Sequence, residues 1–389
     1  MNLVAIMLTT IALLPGEKRY SLIYEGTNYL TRVGKLVDPG NGYKDKVIWE
    51  QDSGVAGKST RSPAEDTTFV YEYFRPGKVM PSLHDSEYYL DLWQHPWAVA
   101  RYFNVKPFSK EHYAKMRPLW EMLADAGQKS LTVTILDLPW NHQCYDGYYT
   151  MLTDDFKLLD EYIEFGKSCG IGPWISFYTM CPWGYKVNGV EMRPQSKEYQ
   201  AYWRPRLIAL RDHLKEKGWL DHSMIAMDER APEDMKAIAD LIKECAPEFK
   251  IQTAGNRKAS AFKGIEIFNY SQGLDYVDGD FFKEVDERRQ KGLITTHYVC
   301  CTLPNPNTFM HSSPEEAYAL GAYPANTGLS GFLRWAYNSW PQDPDKDASF
   351  GNWPAGDTFL VYPDGSPSIR FLFLRNGISD CVKAWLYRK

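Results

Sequence analysis

Two adjacent carboxylates end an apolar run in "SMIAMDER" (223–230), and Asp228 and Glu229 are the residues best suited to do chemistry. A buried acid is costly unless it is paired, hydrogen-bonded or used. Hydrolysing a glycosidic bond ordinarily takes two flanking carboxyls, roughly 5 Å apart for retention and roughly 6.5–9.5 Å for inversion. Adjacent residues on a regular strand point to opposite sides, so an Asp-Glu step is an awkward pair of that kind. It suits instead the substrate-assisted route, in which the sugar's own 2-acetamido oxygen is the nucleophile. Glu229 would then protonate the leaving oxygen, which requires a raised pKa. Asp228 would stay ionised, orient the acetamido N–H and stabilise an oxazolinium-like intermediate. The competing reading is that one of the two merely caps the helix starting at Pro232. Glu233 and Asp234 already give that first turn its acids.

Such a pair needs a scaffold that gathers strand ends. From about residue 84 the chain alternates apolar, β-branched or aromatic runs with helical segments. The runs are 88–93, 130–136, 173–180, 223–229, 250–256, 265–271, 293–301 and 331–338. Near-continuous apolar character fits parallel strands covered on both faces. Helix signals fill most gaps, including caps at Ser109 and Ser196 and a Pro at the first turn at Pro232. Only a helical turn fits between the fifth and sixth strands. Eight strands with intervening helices predict an α/β fold, a (β/α)8 TIM-type barrel, over 84–389. A doubly wound open sheet is the alternative, but no G-x-G-x-x-G follows the first strand. Residues 1–83 carry short β runs separated by turn residues and read as a β-rich N-terminal segment, short for a complete sandwich.

In such barrels the working residues lie at the C-terminal strand ends. Those ends supply Asn141, Gln143, Tyr178, Trp183, Asn256, Tyr270, Tyr298, Trp335, Tyr337, Asn338 and Trp340 as candidate substrate-binding residues beside Asp228 and Glu229. Trp335 and Tyr337 share one strand face and would either meet a sugar or fill the interior. Asn141 and Gln143 also fit a simple loop hydrogen-bonding role. His95, before Pro96, reads as a partner for backbone. Of His297 and Tyr298, one must face inward, and Tyr298 is the better hydroxyl donor. A ring of Trp, Tyr, Asn, Gln and Asp with almost no Lys or Arg suits a neutral polyhydroxylated ligand rather than phosphate.

Composition agrees. The 389 residues include 13 Trp, 26 Tyr and 18 Phe, which fits either a large aromatic core or a carbohydrate cleft. The 44 basic and 49 acidic residues contain no cationic block, so no nucleic-acid partner is expected. Seven scattered cysteines without C-x-x-C, and eight histidines without H-x-x-x-H, predict no metal site and no cofactor. Cys300 and Cys301 read as one inward and one outward residue of a strand. The apolar run at 1–14 lacks a basic start and reads as a strand rather than a signal peptide, and it is too short to span a membrane. A soluble protein of the cytoplasm or periplasm is expected, with no sequence signal for its oligomeric state.

Several segments together resemble glycoside hydrolase family 123, the β-N-acetylgalactosaminidases. They are "LDLWQHPWAVARYF" (90–103), "AGQKSLTVTI" (126–135), "DLPWNHQ" (137–143), "MDE" (227–229), "GFLRWAYNSWPQDP" (331–344) and "FLVYPDGSPSIRFLFLRNGISD" (359–380), in order over about 300 residues. The resemblance implies a (β/α)8 catalytic domain and retaining exo-hydrolysis of terminal β-linked N-acetylgalactosamine from a glycolipid or glycoprotein glycan, without a metal. It assigns Asp228 to the acetamido group and Glu229 to acid/base catalysis. It also implies a β-sandwich ahead of the barrel, for which residues 1–80 are short. The alternatives are a glycosidase of different sugar specificity, or a sugar-binding barrel without turnover.

Overall fold

The computed structural model describes residues 81–135, 150–179, 186–187 and 190–388, and the strands at 19–24, 30–36, 44–52 and 59–68. The apolar run at 1–14 and the candidates Asn141, Gln143 and Trp183 lie outside the described residues. The four N-terminal strands, β1 (Arg19–Tyr24), β2 (Leu30–Leu36), β3 (Lys44–Asp52) and β4 (Ser59–Thr68), pair antiparallel in chain order.

The eight-stranded parallel sheet that follows is the barrel. Its strands are β5 (Tyr89–Leu92), β6 (Ser130–Ile135), β7 (Trp174–Thr179), β10 (Ser223–Asp228), β11 (Lys250–Gly255), β12 (Asn269–Gly273), β13 (Ile294–Tyr298) and β14 (Gly331–Arg334). Between β7 and β10 stands a two-stranded antiparallel pair, β8 (Lys186–Val187) with β9 (Val190–Glu191). The barrel ladder runs without a break from β6 round through β7, β10, β11, β12, β13 and β14 to β5. Side-chain amides close the remaining seam. Gln128 Oε1 accepts from the Leu92 N–H at 2.9 Å and Gln94 Oε1 accepts from the Thr132 N–H at 2.8 Å. Buried backbone donors must find acceptors, and here one backbone bridge, with the Lys129 N–H donating to the Leu90 carbonyl at 2.9 Å, is completed by glutamines in place of a full strand ladder.

Helices fill the gaps: α1 (Pro96–Phe103), α2 (Lys110–Asp125), α3 (Lys157–Ser168), α4 (Lys197–Glu216), α5 (Pro232–Cys245), α6 (Gly279–Gln290), α7 (Pro314–Ala322), α8 (Pro324–Thr327) and α9 (Ile369–Arg388). The expected caps form, with Ser109 accepting from the His112 N–H and Ser196 from the Tyr199 N–H. A single 3-10 turn, Ala259–Phe262, joins β11 to β12. Among the described residues no helix is long and apolar enough to cross a membrane.

Three strands differ from expectation. The sixth begins at Asn269 rather than 265, because Phe268 first donates to the Ile251 carbonyl and only then does the ladder start. The seventh ends at Tyr298, which puts Cys300 and Cys301 in the following turn instead of on a strand. The eighth ends at Arg334, so inward–outward alternation cannot be extended to Tyr337.

The outward strand residues, among them Ile225, Met227, Tyr270 and Phe332, join the main core under the helices. A second, smaller cluster occupies the barrel interior: Trp93, Tyr178, Ala226, Ala254, Tyr298, Leu333, Trp335 and Ala336. Its large rings stand on strands flanking the small residues Ala226, Ala254 and Gly273 of β10, β11 and β12. That asymmetry in side-chain volume leaves the interior open at the C-terminal mouth.

Candidate active site

The opening is a cavity of about 530 Å³ lined by Trp93, Asp228, Glu229, Asn256, Tyr298 and Trp335 together with residues of its rim. Asp228 is reached by simple alternation. Ala226 lies two residues earlier on β10 and faces the interior, so Asp228 does too. The same rule would send Glu229 outward into the helices. Its backbone instead takes φ 46°, the left-handed region that a non-glycine residue rarely occupies. That one dihedral turns the second carboxyl back into the cavity, while the Glu229 N–H still donates to the Ala254 carbonyl at 2.8 Å. Strain of this kind persists only where surrounding structure holds it. Two side chains hold it here. The Tyr298 hydroxyl donates to Glu229 Oε1 at 2.6 Å, and Asn256 Nδ2 donates to Oε2 at 3.3 Å.

Neither carboxyl caps the next helix. The residue preceding α5 is Ala231, with no side-chain capping hydrogen bond, and Pro232 opens the helix with Glu233 and Asp234 in its first turn. Although Asp228 borders the cavity, enough protein surrounds it that burial pushes its carboxyl up to about 8, with the neighbouring Glu229 adding to the rise and Arg230 opposing it. Two acids placed side by side in a cleft, one carrying a proton near neutral pH, are a usual arrangement for acid/base work.

The floor is aromatic. Trp93 meets Tyr178 edge-on at 4.5 Å between ring centroids, and Trp335 meets Trp353 at 6.2 Å. His95 hydrogen-bonds backbone, as its place before a proline suggested. Its Nε2 donates to the Trp335 carbonyl at 3.0 Å, and burial holds the imidazole down at about 4, hence neutral.

Of the sequence-derived candidates, Asp228, Glu229, Asn256, Tyr298 and Trp335 line the cavity, and Tyr178 lies under Trp93. Four others stand elsewhere. Tyr270 is outward on β12 against Phe262, because alternation back from Gly273, which lines the cavity, puts Ser271 inward and Tyr270 outward. Tyr337 sends its hydroxyl to the Leu119 carbonyl on α2 at 3.0 Å, since the chain has left β14 by then. Asn338 makes a reciprocal pair with the backbone of His95, at 2.9 and 3.1 Å. Trp340 is buried beside Tyr102, its Nε1 donating to the Val361 carbonyl at 2.6 Å. All four are therefore structural supports of the mouth rather than its lining.

Sequence reasoning places Trp93 at the C-terminal end of the first strand without choosing it as a binding residue, and it missed Asp275, Tyr276, Cys300, Asn352 and Trp353 as cavity residues. Trp93 had a signal, being two residues beyond inward Asp91. The others lie in turns and loops, where no periodicity points to a face.

Residues 93–386 match the family model described as the glycoside hydrolase 123 catalytic domain. A family 123 glycoside hydrolase from Clostridium perfringens, studied for glycolipid glycan hydrolysis, superposes with TM-score 0.75 and 26% identity, over 91% of this chain and 68% of that one. A mannanase catalytic domain from Streptomyces sp. SirexAA-E aligns at TM-score 0.44 and 14% identity, over 80% of this chain and 96% of its own. No curated protein matches the chain.

Proposed function

The chain belongs to the glycoside hydrolase 123 family, and we propose that it removes terminal β-linked N-acetylgalactosamine by retaining, substrate-assisted exo-hydrolysis. The observation that supports this most is the φ of 46° at Glu229, which brings adjacent carboxyls into one cavity. Adjacent carboxyls on one strand end fit a mechanism in which the nucleophile comes from the sugar. A 2-acetamido group lying over the aromatic floor would direct its N–H at Asp228 and its carbonyl oxygen at the anomeric carbon. Glu229 would donate its proton to the leaving oxygen, held for that task by Tyr298 and Asn256.

The raised pKa of Asp228 shapes the proton traffic in this proposal. In the open site near neutral pH the proton rests on Asp228. An arriving acetamido N–H donates to the carboxylate form and so favours its ionisation, and the positive charge that develops on the oxazolinium favours it further. Glu229, beside the leaving oxygen, is the group that must carry a proton for the acid step. Collapse of the oxazolinium by water, with Glu229 as base, would give the β-anomer of the free sugar. A glycolipid glycan is a fitting source of substrate, since the Clostridium perfringens relative was studied for hydrolysing such glycans.

The decisive experiment offers purified protein the aryl β-glycosides of N-acetylgalactosamine, N-acetylglucosamine and galactose, following product anomers by NMR. Release of the first sugar as its β-anomer, with no cleavage of the galactoside, is expected. Cleavage of a substrate lacking the 2-acetamido group would overturn the mechanism, and faster release of N-acetylglucosamine would overturn the specificity.

A further inference from the structure

Five of the seven cysteines are among the described residues, and they are of two kinds. Cys169, Cys245 and Cys381 are buried, and burial pushes each thiol up, away from the reactive thiolate. Cys300 and Cys301 differ in every respect. They are adjacent, free and reachable by solvent, Cys301 more than Cys300, and both line the active-site cavity.

The turn that presents them is fixed on both sides. Asn307 Nδ2 donates to the Cys300 carbonyl at 2.8 Å and to the Leu303 carbonyl at 2.5 Å, and Thr302 Oγ1 donates to Asp275 Oδ2 at 2.8 Å. Cys300 Sγ lies 3.2 Å from Thr302 Oγ1. The Cys301 thiol hydrogen-bonds to Cys300. Together with Thr302 and the positive charge of Arg334 it outweighs burial and pulls the Cys300 thiol below its ordinary range. Cys301, as the donor, is held up in turn. One thiol of the pair is thus set as a nucleophile, and its neighbour as the donor that stabilises the thiolate.

Cys300 also stands near the acids. Burial and Glu229 do most to raise the Asp228 carboxyl, and charge on Cys300 adds to that rise. Tyr298, whose hydroxyl holds Glu229, precedes Cys300 by two residues and lines the same cavity. A group attached to Cys300 therefore enters a space of about 530 Å³ that must also hold the sugar.

We propose that Cys300, with Cys301 as its hydrogen-bond donor, is a covalent modification site for small disulfides, and that a mixed disulfide there closes the cavity to the glycoside. The Cys300 thiolate attacks one sulfur of the incoming disulfide. A new S–S bond forms as the old one breaks, and the departing thiolate takes up a proton. One protein thiol and one disulfide give a mixed disulfide and one small thiol. The small disulfide is the oxidant, and a small thiol reverses the step by the same exchange.

The test treats the whole chain at neutral pH with bis(2-hydroxyethyl) disulfide, which is small and uncharged. Peptide mass mapping locates the label while hydrolysis of the aryl β-glycoside that the protein cleaves fastest is followed. Cys300 is expected to be labelled before any buried cysteine, with loss of more than about nine-tenths of the activity and full recovery in dithiothreitol. Cys300→Ser, given the same treatment, should stay within about twofold of its own untreated rate. Cys301→Ala, which removes the donor, should be labelled about tenfold more slowly than wild type, whereas Cys301→Ser, which keeps a donor, should stay within about threefold. An unlabelled Cys300 would overturn the site. Activity that survives labelling of Cys300, or inactivation of Cys300→Ser as fast as wild type through Cys144 or Cys181, would overturn the closure. Equal labelling of Cys301→Ala and wild type would overturn the role of the pair. The position of the label and the loss of activity are both read in the wild-type protein, so the test stands even where a variant fails to fold.

Discussion

At the end of β14, Arg334 is wholly buried and engaged through both terminal nitrogens of its guanidinium. Its guanidinium donates to the Val299 carbonyl at 2.6 Å and to the Asp357 carbonyl at 2.9 Å, and it forms an ion pair with the equally buried Asp357 carboxylate. At the end of β10, four strands away on the opposite side of the same mouth, Asp228 and Glu229 sit side by side, with a neutral hydroxyl and a neutral amide donating to Glu229. Both places put charge where solvent is scarce. In the first, charge is matched by opposite charge and dipoles, and the result is a fixed strap between β14 and the segment leading to α9. In the second, two carboxyls are adjacent, and burial, reinforced by the neighbouring Glu229, raises the Asp228 pKa and keeps a proton available. Matched charge builds; a buried carboxyl with a raised pKa keeps a proton that can react.

The largest effect that would break this contrast belongs to Glu229. Glu229→Gln is expected to lower kcat on aryl β-N-acetylgalactosaminide about a thousandfold with the circular dichroism spectrum unchanged. A nearly normal rate would mean that another group is the acid. Arg334→Met is the converse case: it leaves Asp357 buried without its counter-charge and should cost about 3–5 kcal/mol in urea unfolding. If stability barely moves, the strap is not held by charge.

Asp228→Asn should act on both quantities at once. Turnover is expected to fall about a hundredfold. Stability should rise at alkaline pH, for the following reason. Below the ordinary carboxyl range both the folded and unfolded chains keep this proton. Between that range and about 8 only the folded chain keeps it, so this group's contribution to stability falls as pH rises, and above about 8 its penalty is complete. Thermal melts of the variant and wild type should therefore converge near pH 4 and separate toward pH 9, by on the order of a few kcal/mol. Parallel melting curves across that range would contradict the burial of Asp228. The smallest effect is expected at Tyr298→Phe, which removes one hydrogen bond to Glu229 and should cost about tenfold in kcat while leaving KM nearly unchanged.

Much of the scaffold could be read directly because its signals are local. Ser109 and Ser196 cap helices as their side chains dictate, and the alternation of apolar runs with helical segments permits few architectures besides a barrel. The site was legible where a strand pattern reached it, at Asp228, Tyr298 and Trp335, and illegible where strands stopped. Tyr337 and Trp340 belong to the same aromatic run as Trp335, yet they pack outward because β14 ends at Arg334. Tyr276 and Trp353 carry no periodicity, since a turn's direction depends on what it is anchored to.

Residue types and their order along the chain were sufficient to set the barrel, the place of an acid pair at the end of its fourth strand, and a neutral, aromatic mouth. Whether both acids enter the cleft was undecidable from alternation, which assigns them to opposite sides. Only the packed structure settles this, by holding Glu229 at a positive φ through Tyr298 on β13 and Asn256 after β11. Those contacts join residues 27 and 69 positions apart, and no local rule along the chain can express them.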